Sequence, residues 1–379
     1  MGRSRCALLA IFLDIYVVLL LLITSPVCES NTVFSPTSEK HGAAFFMFGD
    51  SYLDAGNNNY LNTTTLAQAN FWPYGETYFK FPTGRFSDGR LISDFLAEYA
   101  NLPLIPPFLQ PGFRHYYDGV NFASSGAGAL VETFQGSVID LKTQLRNYKE
   151  VEAWLRKKLG SVGAEFTLSK AVYLVSIGTN DYLSLALTNS TILYTYSSQS
   201  QYVGMVIGNL TAVIKDIYDI GGRKFGFINL PELGCLPGIR IVKEETKGKC
   251  FEEASSITNL HNEALLKLLN KLSKQLKGFK YSLYDFNTNI RKRMILPSHY
   301  GFKEGKSACC GTGEFRGVFS CGGKRIVKEY QLCENPSDHV FWDSFHLTEM
   351  VHKQFADEMW TGPQTSLGPY TMKDLFLAH

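Results

Sequence analysis

Ser51 closes an apolar run in "FFMFGDSYLDAGNNNY" (Phe45 to Tyr60), with Asp50 before it and a sharply polar stretch after it. A serine hydroxyl attacks carbonyls only when a base takes its proton, and strand ends are where open α/β sheets hold their chemistry. A base and its orienting acid occur together in "FWDSFHLTE" (Phe341 to Glu349). Asp343 and His346 are three residues apart there, so within one helical turn their side chains meet. A carboxylate bonded to an imidazole fixes its tautomer and stabilises the imidazolium. Two other stretches suit the negative charge that develops on an attacked carbonyl oxygen. The small residues of "NFASSGAG" (Asn121 to Gly128) let backbone N–H groups approach a ligand closely. In "GTND" (Gly178 to Asp181) the Asn180 side chain brings N–H donors to the end of an apolar run.

Each stretch also has a plainer reading. Ser51 serves as a turn or cap residue, "NFASSGAG" as a close helix–strand crossing, and Asn180 or Asp181 as a helix cap. Asp343 caps the helix that follows it, while His346 packs. Taken together, a serine, two sources of oxyanion donors and an Asp–His pair complete the parts list for acyl transfer.

These groups need strand ends gathered at one edge of a sheet. "AAFFMF" runs into Gly49, "AVYLVSI" (Ala171 to Ile177) into "GTND", "KFGFINL" (Lys224 to Leu230) into "PELG" and "YSLYDF" (Tyr281 to Phe286) into "NTN". Their length and their β-branched and aromatic content favour strands. Between them, Phe251 to Lys277 places Leu260, Ala264, Leu265, Leu268 and Leu272 at helical spacing, and a second helix is expected from Thr348 through Trp360. Strands alternating with helices imply an α/β fold with a parallel sheet covered on both faces. Gly49 permits a tight turn, and a helix starting after Ser51 would aim its N-terminal dipole at the hydroxyl. No repeat, low-complexity tract or linker divides the chain, so one domain is expected.

The 379 residues carry a net charge of +2, and no run of five like charges occurs. Nucleic acid and anionic membrane surfaces are therefore not expected partners. Arg3 and Arg5 precede the apolar "CALLAIFLDIYVVLLLLIT", and small residues follow in "SPVCES". This reads as a secretory signal peptide over residues 1–30, followed by a hydrolase domain over 31–379. An uncleaved anchor is the alternative, but Asp14 would be costly in lipid, so no stable membrane span is expected after cleavage. Six cysteines remain beyond that segment: Cys235, Cys250, Cys309, Cys310, Cys321 and Cys333. They allow up to three disulfides in any of fifteen connectivities, with the adjacent Cys309 and Cys310 bonding distant partners. Zinc is disfavoured because no Cys-x-x-Cys pair occurs. Sequons at Asn62, Asn189 and Asn209 fit a glycosylated, exported protein.

Competing motifs fail on spacing. "GFKEGKS" is one residue short between its glycines for a phosphate loop, "GTGEFRG" misses the dinucleotide fingerprint, and no G-x-S-x-G occurs. No cofactor and no metal are expected.

The motifs "FGDSYLDAGNNNY", "GVNFASSGAG", "SIGTNDY", "NLPELGCLPG", "ACCGTG" and "NPSDHVFWDSFHLTE" stand in an order and spacing that closely resembles the plant GDSL esterase/lipase family, within the SGNH hydrolases. The resemblance covers essentially the whole mature chain. It implies a three-layer α/β/α sandwich around a central parallel sheet. It also implies Ser51 as nucleophile, Asp343 and His346 as its partners, and an oxyanion hole from the Ser51 and Gly126 backbone N–H groups and the Asn180 side chain. Tyr52 stands where leucine is usual, Ser125 where glycine is usual and Leu347 where proline is frequent. None of these removes a functional group, so they bear on substrate preference more than on activity. The expectation is a secreted serine carboxylester hydrolase acting on lipid or other acyl esters. Acyl transfer to an alcohol is the alternative, and a non-catalytic binding protein on the same fold a third. The oligomeric state is left open.

Overall fold

Five short strands, buried along almost their whole length, form the centre of the molecule: β1 (Phe45–Gly49), β2 (Gly119–Asn121), β3 (Val172–Ser176), β4 (Lys224–Ile228) and β5 (Lys280–Tyr284). They lie in the order β2-β1-β3-β4-β5 and all pairs are parallel, with Phe46 opposite Tyr173 and Met47 opposite Asn121. The computed structural model describes residues 43–242, 248–362 and 367–378. The expected signal peptide, residues 1–30, lies outside the described residues.

Successive side chains of β1 point to opposite faces, as the two-residue period of a strand requires. The Phe45 ring meets Phe376 at 5.2 Å on one face, while Phe46 and Phe48 meet Tyr148 at 5.5 and 5.6 Å on the other. Helices cover both: α1 (Ile92–Tyr99), α2 (Leu141–Lys170), α3 (Thr179–Leu187), α4 (Tyr196–Ile220), α5 (Glu252–Gln275), α6 (Phe286–Ile295), α7 (Glu349–Thr361) and α8 (Met372–Leu377). α2, α4 and α5 pack side by side, as do α1, α7 and α8. This is the expected α/β/α sandwich, and the described residues fall in one compact unit. No helix among the described residues is long and apolar enough to cross a membrane.

The strand order reverses at β1. The chain leaves β1 for β2 on one side and later returns to place β3 on the other, which opens a crevice at the carboxyl ends of β1 and β3. One expectation is corrected here, because no α-helix follows Ser51. The chain makes a single turn instead, in which the Asp50 carbonyl accepts from the N–H groups of Leu53 and Asp54 at 3.1 and 3.0 Å, and continues into a 3-10 turn at Asn57–Tyr60.

A second, smaller core sits beside the sheet. Tyr74, Phe86 and Trp342 pack there with Cys309, Cys310 and Cys321, all buried. The bonds are Cys309–Cys333 and Cys310–Cys321, and Cys235–Cys250 staples a separate loop. The adjacent cysteines thus take different, distant partners. β6 (Glu304–Ala308) pairs with β9 (His339–Phe341), and β7 (Cys310–Gly311) with β8 (Gln331–Leu332), fixing the loop's ends. Among the described residues one group of potential metal-ligating atoms converges, Cys309, Cys333 and His339, but its two sulfurs are bonded to each other.

Candidate active site

β1 delivers Ser51 to the crevice at close quarters with β3. A side chain at Gly49 would put its Cβ 2.3 Å from the Ser176 carbonyl oxygen, so only glycine lets the two strands close at this point. Two residues on, the Ser51 hydroxyl lies 2.8 Å from His346 Nε2, and His346 Nδ1 lies 2.7 Å from Asp343 Oδ1. Ser51 and His346 keep 7% and 6% of their surface exposed, enough to meet a substrate, while Asp343 has none.

The Asp–His pair meets by a different geometry from the one expected. Residues 343–345 form a bend after β9, not a helical turn, and α7 begins only at Glu349. Asp343 Oδ1 accepts from the backbone N–H groups of Phe345 and His346, both at 2.9 Å, and this local turn swings the imidazole back onto the carboxylate. Asp343 does not cap α7. That N-terminus is met by Asp88, whose Oδ1 accepts from Glu349 N–H at 2.7 Å. Asp343 Oδ2 accepts from the Tyr74 hydroxyl at 2.7 Å. Burial alone would raise the Asp343 pKa. The His346 charge and hydrogen bond, the Tyr74 hydrogen bond and the Arg325 charge outweigh it and bring the carboxyl down to about 2. Tyr52 adds a strap from the nucleophile side: its hydroxyl donates to the Phe345 carbonyl at 2.9 Å.

Gly126 turns at φ +83, the left-handed region, and a Cβ there would come within 2.9 Å of Val138 Cγ1. The backbone N–H groups of Ser51 and Gly126 have no acceptor among the described residues. Asn180, in the first turn of α3, gives one side-chain hydrogen to the Ala127 carbonyl at 3.0 Å. It does not cap α3, whose N-cap is Gly178.

The polar stretch after Ser51, together with Asp181, holds these loops together. Asp54 accepts from Gly56 and Asn57 N–H groups and, across the crevice, from Ser125 N–H at 2.9 Å. Asn57 donates to the carbonyls of Asn121 and Ala123, and Asn58 to those of Ala67 and Ser125, all at 2.8 to 2.9 Å. Asp181 accepts from Ala129 and Leu130 N–H groups and from the Thr133 hydroxyl, fixing the far end of the Gly126 loop. Such cross-links leave no sequence signal beyond residue type.

Ser51, Gly126, Asn180 and His346 line one cavity of about 460 Å³. Its remaining wall is mainly apolar, with Leu66, Phe134, Val138, Leu183, Leu187 and Leu236 prominent. Leu66, Phe134 and Leu187 are also exposed at the surface. The sequon asparagines Asn62, Asn189 and Asn209 are all exposed and stand apart from this lining.

A family model described as GDSL-like Lipase/Acylhydrolase matches residues 45–359. GDSL esterase/lipase 5 of Arabidopsis thaliana is 59% identical over 353 residues, covering 92% of this chain and 91% of that protein. GDSL esterase/lipase 2 of the same plant is 50% identical over 379 residues, covering 99% of each. GDSL esterase/lipase 1 is 51% identical over 337 residues, covering 88% and 90%.

Proposed function

The chain belongs to the GDSL-like lipase/acylhydrolase family and is by that membership a carboxylic ester hydrolase; we propose that it works through Ser51, His346 and Asp343. The continuous chain of contacts from Ser51 Oγ through the imidazole to the Asp343 carboxylate, at 2.8 and 2.7 Å, carries the reading. His346 Nε2 takes the hydroxyl proton as Oγ attacks the ester carbonyl carbon, and Asp343 stabilises the imidazolium so formed. The carbonyl oxygen becomes negative where the free N–H groups of Ser51 and Gly126 and the second Asn180 hydrogen receive it. Collapse breaks the ester bond, and the imidazolium gives its proton to the departing alkoxide. Water, deprotonated by His346, then attacks the acyl-serine and releases the acid.

The apolar wall of the cavity fits an acyl chain, which supports lipid or other acyl esters as substrates. We propose further that the protein is exported, with residues 1–30 as its signal peptide, 31–379 as the hydrolase domain and glycans on Asn62, Asn189 and Asn209. Three disulfides and the exposure of all three asparagines support this.

Labelling by a serine-reactive phosphonate tests the catalytic reading. The native protein should be labelled at Ser51, and Ser51→Ala should lose both labelling and turnover, the latter by roughly 10³- to 10⁶-fold. Wild-type turnover in a folded Ser51→Ala sample would sink it.

A further inference from the structure

Arg325 lies between Cys321 and Cys333, inside the stapled loop, and only 1% of its surface is exposed. Among the described residues no carboxylate lies within ion-pair distance of its guanidinium. A buried cation without a counter-charge is unfavourable, so its surroundings are informative. The guanidinium stacks on the Phe319 ring at 3.6 Å and is ringed by Phe71, Tyr74 and Phe86. Its Nη1 donates to the Thr65 carbonyl and its Nη2 to the Gln68 carbonyl at 3.3 Å. Nη2 also donates to the Tyr74 hydroxyl oxygen at 2.8 Å, and that hydroxyl donates onward to Asp343 Oδ2 at 2.7 Å. The nearest negative charge along this path is the acid of the triad, one hydroxyl away.

We infer that Tyr74 and Arg325 are positioning residues of the reaction: a buried cation and a phenol that hold the Asp343 carboxylate ionised and aimed, extending the Ser51–His346–Asp343 chain by two links. This rests on the proposed triad. Asp343 is fully buried, and a carboxylate there without donors would take up a proton and lose its hold on the imidazole. The phenol carries a charge-assisted donor on its own oxygen, which makes it the stronger donor to Asp343. Its ring is wedged edge-on between Phe71, Phe86 and Trp342, so the hydroxyl has one place to point. Arg325 also reaches the segment that contributes Thr64, Leu66 and Ala67 to the cavity wall. One guanidinium thereby ties the acyl pocket to the triad acid.

The same two groups set where Asp343 takes up a proton. The Tyr74 hydrogen bond and the Arg325 charge both hold its carboxyl down, so removing either lets that value rise and brings protonation of the triad acid into the acid limb at higher pH. The other titratable groups facing the pair are Tyr52, with Asp50 behind it, and His352 from α7.

Tyr74→Phe keeps the ring in its aromatic nest and deletes the hydroxyl. The expected result is a kcat lower by about 10- to 100-fold, a KM changed less than about twofold, and an acid limb of kcat/KM moved to higher pH. Arg325→Gln, which keeps an amide donor near the phenol, should move that limb the same way and carries the test if Tyr74→Phe does not fold. A uniform loss at every pH with no limb movement, or kcat at the wild-type level, overturns the inference while phosphonate labelling of Ser51 leaves the triad standing. Absence of labelling in the native protein removes the triad and this extension with it.

Discussion

The Asn180 side-chain nitrogen gives one hydrogen to the Ala127 carbonyl and has no acceptor for the other among the described residues, so one group both fixes the Gly126 loop and faces the cavity. Asn180→Ala should lower kcat by about 10²- to 10³-fold and leave KM nearly unchanged, because the missing bond matters once charge develops on the oxygen. It should also cost about 1 kcal/mol of stability from the lost Ala127 bond. Full turnover with a lowered melting temperature would reassign Asn180 to structure alone. The residues that meet at the cavity were legible because each sits in a short, chemically pointed stretch of sequence. Tyr74 and Arg325 were not. One lies among aromatic residues that read as core, the other among the charges of a loop, and only folding brings them to Asp343. The bend at Asp343 is hidden as well: a spacing of three allows a helical turn, but the backbone bonds that choose the bend instead leave no mark in the spacing.

At the level of elements, the strands β1, β3, β4 and β5 are visible because buried parallel strands read as short, mainly apolar and aromatic runs. β2 is not, since three residues are too few to show a period. The long helices α2 and α4 are equally hard to read from the sequence. α2 is interrupted at Gly160, where φ is +71, and its mixed composition blurs the apolar stripe. The loop bounded by Cys309–Cys333 and Cys310–Cys321 has little regular structure of its own, so its covalent bonds must hold it. Mapping without reduction should recover Cys235–Cys250, Cys309–Cys333 and Cys310–Cys321. Replacing Cys310 and Cys321 with serine should lower unfolding free energy by about 2–4 kcal/mol in denaturant titrations. Free thiols in the native protein, or an unchanged titration, would contradict this assignment.

Across the whole molecule, buried ionisable groups set how stability varies with pH. Burial pushes the Asp50 and Glu76 carboxyls up to about 7, and those of Asp54, Asp88 and Asp181 up to about 6. A carboxyl raised on folding favours the native state below its unfolded value near 4, and that contribution is lost as pH rises through the folded value. Burial also lowers His261 and His352 to about 3, and it lowers His339, which is less deeply buried. Lowered histidines act the opposite way, costing stability as pH falls below about 6.5. Five carboxyls outnumber three histidines, and Asp343, at about 2, adds no slope until the pH drops below about 4. The melting temperature should therefore rise as pH is lowered from 7.5 toward 6, a trend that scanning calorimetry reads directly; a fall over that interval would refute the balance. The seam at Gly49 has a different consequence. Because β1 and β3 touch there with no room for a Cβ, the serine turn and the asparagine helix are seated on one rigid jaw. The opposing jaw, from residues 64–67, 134–138 and the Phe319 and Phe345 loops, hangs on longer and less regular chain. Yet the two jaws are joined, since Phe345 adjoins His346 and Arg325 links residues 65 and 68 through Tyr74 to Asp343, so variation that refits the enzyme to a different acyl chain has to spare those two junctions.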